Sequence, residues 1–167
     1  MIEDLRRELP RLAKFATLSP IPGFREWLDE ALAKGNELLP SADIEKFVKS
    51  VGHLEPVRAL RDTLARPDWP CEATLAEALR EPMEKLCARY LLREKSGTLP
   101  LDPVARFHLN NGARLDRIYW LADSSARGMS QSYGMMASYR YVLDANHERF
   151  RTGGYAAAAR RVLRLLD

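Results

Sequence analysis

The sequence has few of the residues on which several common protein classes depend. Its 167 residues include only two cysteines, Cys71 and Cys87, and neither belongs to a Cys-x-x-Cys pair. A disulfide framework is therefore excluded, and both side chains are expected to be reduced thiols, with Cys87 packed in a helix. The N-terminus carries no basic region followed by an apolar run, so export is not expected.

Other absences narrow the possible functions further. No stretch of about 18 apolar residues occurs, which argues against a membrane-spanning helix. No run or stripe of Lys and Arg marks a nucleic-acid partner. His, Cys, Asp and Glu do not cluster at metal-ligand spacing, and no P-loop or GxGxxG segment is present. The sequence therefore predicts a soluble cytoplasmic protein that has no nucleic-acid, membrane or metal partner.

The composition that is present is typical of one globular domain. Hydrophobic residues make up 46% and charged residues 29% of the chain, and the net charge is only +3. The C-terminal part is more basic, and every basic side chain after Lys95 except histidine is an arginine. Arginine suits phosphates and carboxylates, so an anionic ligand is one hypothesis. Ordinary solvated arginines explain the pattern equally well.

Local patterns predict one strand and then a run of helices. Alternation over residues 14–19 suits a short strand that ends at Ser19, and the turn at residues 20–23 contains two prolines that prevent helix there. Helical spacing predicts helices over residues 2–12, from Phe24, from Ser41 as a cap, from Pro56, briefly after Cys71, and from Pro82. Residues 24 to 95 are thus expected to form a helical insertion.

The remaining third is predicted to return to strands. Asp102 and Pro103 form a good helix start, and Gly112 ends that helix. Residues 114–122 have the aromatic and β-branched content of a strand, although the apolar run within them also fits a buried helix. A second strand is expected over 135–143, and an amphipathic helix follows the glycines at 153–154.

Among the three histidines, only His108 has a setting that suits chemistry. His53 follows a glycine at a helix junction and His147 lies in a polar stretch, so both are expected to be structural or solvated. His108 lies in an apolar segment, which lowers the pKa of an imidazole, and a glycine turn follows it. Its setting alone is nevertheless more typical of a buried structural histidine.

Ser19 presents the same choice between structure and chemistry. A serine before proline usually caps or forms a turn. A Ser-His hydrolase is formally possible, but Ser19 has no GxSxG elbow around it, and the sequence identifies no acid as a third member.

Five blocks of sequence resemble the malonyl-CoA decarboxylase family. FHLNNGA around His108 is similar to the family's FHLxNGA motif, and WLAD, an RG loop rich in serine, and the YRY triplet that ends at Tyr141 follow in the family's order. LSPIPGF, which contains Ser19, is similar to a family segment whose serine is catalytic. The resemblance extends from about Ile2 to about Leu143.

This resemblance implies a fold and a reaction. The implied fold class is α+β and predominantly helical, like part of an acetyltransferase-superfamily domain whose mixed sheet splits to admit an acyl-CoA thioester. Residues 1–167 would be the C-terminal part of the catalytic domain, with a helical insertion at about 24–95. The implied reaction converts malonyl-CoA to acetyl-CoA and carbon dioxide in fatty acid metabolism, with no metal or organic cofactor.

The resemblance also assigns residues to roles. His108 would donate the proton to the enolate, and Ser19 would bind the malonyl group and relay or orient that proton. Tyr141 is expected to hydrogen-bond the substrate carboxylate or Ser19, and Asn111 is a further candidate for substrate binding.

The family has one feature that this chain does not match. Its members carry, upstream of the opening helix, a strand and a GVELG-like loop that holds the coenzyme A pyrophosphate. The chain is therefore expected to be the C-terminal part of a longer polypeptide or a truncated protein, with an unpaired strand edge near residues 15–19. A homo-oligomer or an upstream domain is the expected partner. The alternative is a non-catalytic remnant that serves as a helical scaffold or an acyl-CoA-binding partner.

Overall fold

A small antiparallel sheet carries helices that come mainly from the first half of the chain. The computed structural model describes residues 14–52, 55–142 and 160–166. Its elements are β1 (Lys14–Pro20), α1 (Phe24–Ala33), α2 (Ser41–Val51), α3 (Pro56–Leu64), a 3-10 turn (Trp69–Cys71), α4 (Ala73–Arg93), β2 (Lys95–Ser96), β3 (Leu99–Pro100), α5 (Pro103–Asn110), β4 (Arg114–Tyr119), α6 (Ala126–Ser132), β5 (Met136–Val142) and α7 (Arg160–Leu163). The predicted α+β class is confirmed.

Some predictions lie outside the described residues. They concern the helix over residues 2–12, the first part of the C-terminal helix, His53 and His147. Within the described ranges, no helix is both long enough and apolar enough to cross a membrane.

The main sheet has the strand order β1–β5–β4, and β2 pairs with β3 in a separate hairpin. Every pairing among the described residues is antiparallel, so the mixed sheet implied by the resemblance is not found there. In the register of β1 with β5, Phe15 lies opposite Tyr141, Thr17 opposite Tyr139, and Ser19 opposite Ala137. Residues directly opposite each other share a face of the sheet. We call the face that carries these six residues the inner face.

Strand β5 is central, with β1 on one edge and β4 on the other, and it is also the most buried strand of the sheet. Ala137, Ser138, Tyr139 and Tyr141 are all buried, as expected for a strand that is covered on both faces. In β1, by contrast, burial alternates, and the side chain of Leu18 on the opposite face is 56% exposed. Within the part of the chain that the structure describes, β1 pairs with β5 only. The edge of β1 is therefore unpaired in this part of the chain, as the sequence predicts.

The predicted break in the helices before Pro82 is wrong. Helix α4 runs without interruption from Ala73 to Arg93, and Pro82 lies buried inside it. A proline within a helix removes one hydrogen bond and costs about 3 kcal/mol. Leu79 and Met83, on either side of it, are fully buried in the core, so packing of the helix offsets that loss.

The start of α2 also differs slightly from the prediction. Ser41 is the first residue of the helix, Pro40 occupies the cap position, and no side chain caps the end. At α5 the prediction is confirmed, because Oδ1 of Asp102 accepts a hydrogen bond of 2.7 Å from the backbone N–H of Ala105.

Helix α6 lies in a segment whose serines and glycines are more typical of a loop. Oγ of Ser125 caps it by accepting a hydrogen bond from the backbone N–H of Gly128. A Cβ atom at position 128 would lie 2.3 Å from the carbonyl oxygen of Asp123, so only glycine fits. The helix is held against α1, since Arg25 donates to the carbonyl of Met129 at 3.1 Å. This helix was not predicted because its stability depends on these contacts rather than on helix propensity.

The turn after Ser19 is shaped by a close approach of the core. A Cβ atom on Gly23 would lie 2.5 Å from the hydroxyl of Tyr90, a buried residue of α4. Glycine therefore lets the start of α1 approach α4 closely at the turn that follows β1.

Candidate active site

Three separate elements bring Ser19, His108 and Tyr141 together on the inner face. Ser19 is the second-last residue of β1, His108 lies in the last turn of α5, and Tyr141 lies near the end of β5. All three side chains are buried: Ser19 is 5% exposed, His108 9% and Tyr141 2%. Polar side chains that are buried together in this way need one another as hydrogen-bond partners.

These side chains form a continuous line of hydrogen bonds. Oγ of Ser19 lies 3.0 Å from Nε2 of His108, and Nδ1 of His108 lies 2.8 Å from the hydroxyl oxygen of Tyr141. The hydroxyl of Ser19 also donates to Oγ1 of Thr17 at 3.2 Å. Both imidazole nitrogens are therefore occupied, and the ring cannot flip without breaking two hydrogen bonds.

Three aromatic rings pack against the side chains of this line. The ring of Tyr139 stacks on the imidazole of His108, with 4.4 Å between centroids and 16° between planes. Phe15 stacks on Tyr141 at 4.6 Å, and Phe107 meets the imidazole edge-on at 5.3 Å. The side chain of Phe107 is itself 54% exposed, so the site lies close to the surface beside this residue.

Burial sets the charge state of the site. It lowers the pKa of His108 below its usual value of 6.5, as its apolar setting in the sequence predicts. It also raises the pKa of Tyr141 above 10.0. At neutral pH the imidazole is therefore uncharged and the phenol keeps its proton.

The lowered pKa of His108 has a consequence for stability. The unfolded chain binds this proton more readily than the folded chain does, so the contribution of His108 is fully present above about pH 6.5 and is lost as the pH falls through the lowered pKa. We expect the free energy of unfolding, measured by denaturant titration at a series of pH values, to fall over that window. His108→Gln should make the fall shallower, and equal slopes in the two proteins would contradict this account.

The arrangement is suited to moving a proton between Ser19 and His108. Because the hydroxyl of Tyr141 stays protonated, it can donate to Nδ1, which leaves the ring hydrogen on Nε2. Nε2 then donates to the oxygen of Ser19, and the serine hydroxyl can donate onward. A neutral imidazole that is held in one tautomer next to a hydroxyl is an arrangement used in general acid and base catalysis.

Two of the predicted site residues occupy positions that the sequence did not indicate. Tyr141 hydrogen-bonds His108 rather than Ser19. Asn111 is exposed, and its side-chain amide donates to the carbonyl of Phe107 at 2.7 Å, where it closes the end of α5. Asn111 therefore does not belong to the hydrogen-bonded line, and its contact with substrate stays a prediction.

Sequence reasoning missed Thr17, Tyr139 and Phe15. The alternation along β1 places Phe15, Thr17 and Ser19 on one face, and Tyr139 shares the parity of Tyr141 on β5. That signal was present in the sequence, but the pairing of the two strands was needed to make these residues neighbours. Residues 14–52, 55–142 and 160–166 contain no group of three or more His, Cys, Asp or Glu side chains that could hold a metal ion.

Comparisons with known proteins agree on one family. The family model of the malonyl-CoA decarboxylase C-terminal domain matches residues 1–167. The mitochondrial malonyl-CoA decarboxylase of Rattus norvegicus is 41% identical over 151 residues, which are 86% of this chain and 30% of that protein. The chain thus spans less than a third of the length of this curated relative, and the cytoplasmic location predicted from the sequence is not confirmed.

Solved structures of malonyl-CoA decarboxylases have the same fold as this chain. The structure from Cupriavidus metallidurans is 38% identical in sequence, with a TM-score of 0.73. The match covers 98% of this chain and 41% of the Cupriavidus chain. The structure from Rhodopseudomonas palustris is 37% identical, with a TM-score of 0.78, and that match covers 98% of this chain and 36% of the Rhodopseudomonas chain. Since the family model matches every residue, the chain belongs to the malonyl-CoA decarboxylase C-terminal domain family.

Proposed function

We propose that this chain supplies the catalytic residues Ser19 and His108 of an enzyme that converts malonyl-CoA to acetyl-CoA and carbon dioxide, a reaction linked to fatty acid metabolism. The observation that carries the proposal is the hydrogen bond of 3.0 Å between Oγ of Ser19 and Nε2 of His108, two residues that are 89 positions apart. Membership of the family points to the reaction, and the buried pair supplies the groups that this reaction needs.

The active site must do two things in this reaction: stabilise the enolate and protonate its α-carbon. When the bond between the carboxylate carbon and the α-carbon breaks, carbon dioxide leaves and the electron pair of the bond remains as a thioester enolate. The enolate oxygen needs hydrogen-bond donors, and the α-carbon needs a proton. Hydrogen bonding to the enolate and proton transfer are both favoured where little water competes, as at Ser19 and His108, which are 5% and 9% exposed.

His108 and Ser19 share the tasks of hydrogen bonding and proton transfer. The hydroxyl of Ser19 contacts the malonyl group and passes or orients the proton that ends on the α-carbon. Nε2–H of His108 replaces that proton on Ser19 while the phenol proton of Tyr141 moves to Nδ1, so the imidazole stays neutral throughout the step. Tyr141 holds the ring from Nδ1 and keeps the hydrogen on Nε2. One proton from water restores the site after each turnover, because carbon dioxide leaves without one.

The wider setting of the chain is part of the same proposal. Residues 1–167 correspond to the C-terminal part of a catalytic domain, with residues 24–95 as a helical insertion, in a fold that resembles the acetyltransferase superfamily. Among the described residues the outer edge of β1 is unpaired, and this edge and the exposed Leu18 support a contact with an upstream domain or with a second copy. The cytoplasm is the proposed location, which the two free cysteines Cys71 and Cys87 support.

The test measures carbon dioxide release and acetyl-CoA formation from malonyl-CoA. It uses the 167-residue chain and also the Rhodopseudomonas palustris relative in which this chain replaces the matching segment. Ser19→Ala should lower the rate by about 10²- to 10³-fold, because one donor to the reacting group is lost. Ser130→Ala is the matched control, since Ser130 is exposed and its hydroxyl donates to the carbonyl of Arg127, away from the hydrogen-bonded line of Ser19, His108 and Tyr141.

Two outcomes would contradict the proposal. A hybrid protein that folds and binds malonyl-CoA but releases no carbon dioxide would favour the non-catalytic remnant, whether scaffold or acyl-CoA-binding partner. Equal rates of carbon dioxide release in Ser19→Ala and Ser130→Ala would show that Ser19 takes no part in the reaction.

A further inference from the structure

Thr17 lies at one end of the hydrogen-bonded line of the candidate active site. Its Oγ1 accepts the hydroxyl hydrogen of Ser19 at 3.2 Å, and it lies opposite Tyr139 on the inner face of the sheet. Among the described residues, the line extends no further than Thr17 at this end and no further than Tyr141 at the other. A hydroxyl both donates and accepts, so Thr17 can pass a proton along the line as well as accept a hydrogen bond.

The two ends of the line differ in their access to water. The hydrogen bond between Ser19 and Thr17 is partly buried, and Thr17 itself is half-buried. The hydrogen bonds that His108 makes to Ser19 and to Tyr141 are both buried. Tyr141 is 2% exposed on the central strand β5, and its ring stacks on Phe15. Water therefore reaches the Thr17 end of the line more readily than the Tyr141 end.

The proposed reaction leaves the line one proton short after each turnover. The hydroxyl hydrogen of Ser19 forms the new C–H bond of acetyl-CoA, and Nε2–H of His108 replaces it. The phenol hydrogen of Tyr141 moves to Nδ1 in the same step. The atom that then lacks a proton is the hydroxyl oxygen of Tyr141, which is more deeply buried than Ser19, His108 or Thr17. One proton must travel from water to this oxygen before the next turnover.

We propose that Thr17 is the residue through which this proton enters the active site, and the catalytic part of this inference rests on the proposed function. A proton from the solvent binds Oγ1 of Thr17 while the Thr17 hydrogen passes to the oxygen of Ser19. The Ser19 hydrogen passes to Nε2 of His108, and the Nδ1 hydrogen passes to the oxygen of Tyr141. The three transfers within the line cross hydrogen bonds of 3.2, 3.0 and 2.8 Å.

The proton balance of the cycle closes with this path. Each O–H or N–H bond that breaks along the line is replaced by a new one at the same atom. The phenol of Tyr141 and Nε2–H of His108 are restored, and one solvent proton is taken up for each carbon dioxide released. The first turnover uses the proton that Ser19 already carries, whereas every later turnover needs a proton that has entered at Thr17.

The first experiment measures hydrogen exchange at Nε2 of His108 in the 167-residue chain, by NMR of the imidazole N–H. Thr17→Val keeps the branched shape and a good strand former, and it removes the hydroxyl. The Nε2 hydrogen should then exchange with water about tenfold more slowly, because exchange requires an opening that breaks a hydrogen bond of the line. Thr17→Ser keeps a hydroxyl and should restore the exchange rate.

Thr63→Val is the matched control for the exchange measurement. Thr63 is a buried threonine of α3, outside the hydrogen-bonded line, so its substitution should leave the exchange rate at Nε2 unchanged. A merely structural role for Thr17 would loosen the site in Thr17→Val and make exchange faster. Exchange that is unchanged or faster in Thr17→Val, or that Thr17→Ser does not restore, would overturn the proposal.

The second experiment separates the first turnover from later ones in the hybrid protein. Thr17→Val mixed with excess malonyl-CoA should release a burst of about one carbon dioxide per active site, and kcat should then be at least about tenfold lower. The ratio kcat/KM should stay close to that of the unsubstituted hybrid, because the slowed step follows carbon dioxide release. Equal falls in kcat and kcat/KM without a burst would show that Thr17 acts in the chemical step and does not admit the proton.

The proton path and the proposed function can fail separately. If the unsubstituted hybrid releases no carbon dioxide but exchange at Nε2 slows in Thr17→Val, the proposed function fails and the proton path through Thr17 stands. If the hybrid is active and the exchange does not slow, the proton path fails alone.

Discussion

His108→Asn is expected to lower the rate of carbon dioxide release from malonyl-CoA by about 10²- to 10⁴-fold, the range that general acid catalysis typically supplies. The affinity for the thioester should change far less, because the lost interaction is made to the developing enolate rather than to the bound substrate. The measurement is single-turnover release of carbon dioxide by the hybrid protein, with malonyl-CoA binding followed separately.

His108→Gln is the companion variant that separates proton transfer from hydrogen bonding. The longer amide can reach toward Ser19 in place of Nε2, but it cannot give up a proton near neutral pH. We therefore expect it to be almost as slow as His108→Asn. Turnover close to that of the unsubstituted protein in either variant would remove His108 as the acid.

Trp69→Ala is expected to reduce the free energy of unfolding by about 3–5 kcal/mol, the usual range for a large aromatic side chain lost from a core. Trp69 is 1% exposed, and its ring stacks on Trp120 at 5.6 Å and lies 6.4 Å from Tyr133. It thereby joins the turn before α4 to the segment between β4 and β5. Equilibrium denaturation by urea measures the change.

Trp27→Ala provides the matched comparison. Trp27 is only partly buried, although it also packs on two aromatic rings, those of Phe24 and Tyr90. Its loss removes less buried area and leaves a site open to water, so the destabilisation should be clearly smaller. Equal losses in the two variants would show that burial of Trp69 is not what stabilises the connection between β4 and β5.

The sequence predicted most of the local structure because local signals were strong. Alternation marked β1, helical spacing marked α1 to α3, and Asp102 marked the start of α5. The predictions at Pro82 and in the α6 segment were wrong for one physical reason. A proline and a run rich in serine and glycine both oppose helix locally, and only packing in the folded chain overcomes that preference.

Some features of the candidate site were also predictable from the sequence, and others were not. The motifs around Ser19, His108 and Tyr141 were visible in the sequence, and the apolar neighbours of His108 already predicted its lowered pKa. The sequence did not indicate that Tyr141 holds Nδ1, that Tyr139 lies beneath the ring, or that Asn111 closes its own helix. Each of these facts depends on which strand lies beside which.

By itself, then, the sequence determined the chemical groups of this protein and the local conformation of most segments, since both depend on neighbours a few residues away. The tertiary structure alone decided the partners of those groups. Ser19 faces Ala137 across two strands that are far apart in the chain, and α5 places His108 over both. Such contacts form only when burial of the whole core outweighs the entropy of closing long loops, and no local pattern records that balance.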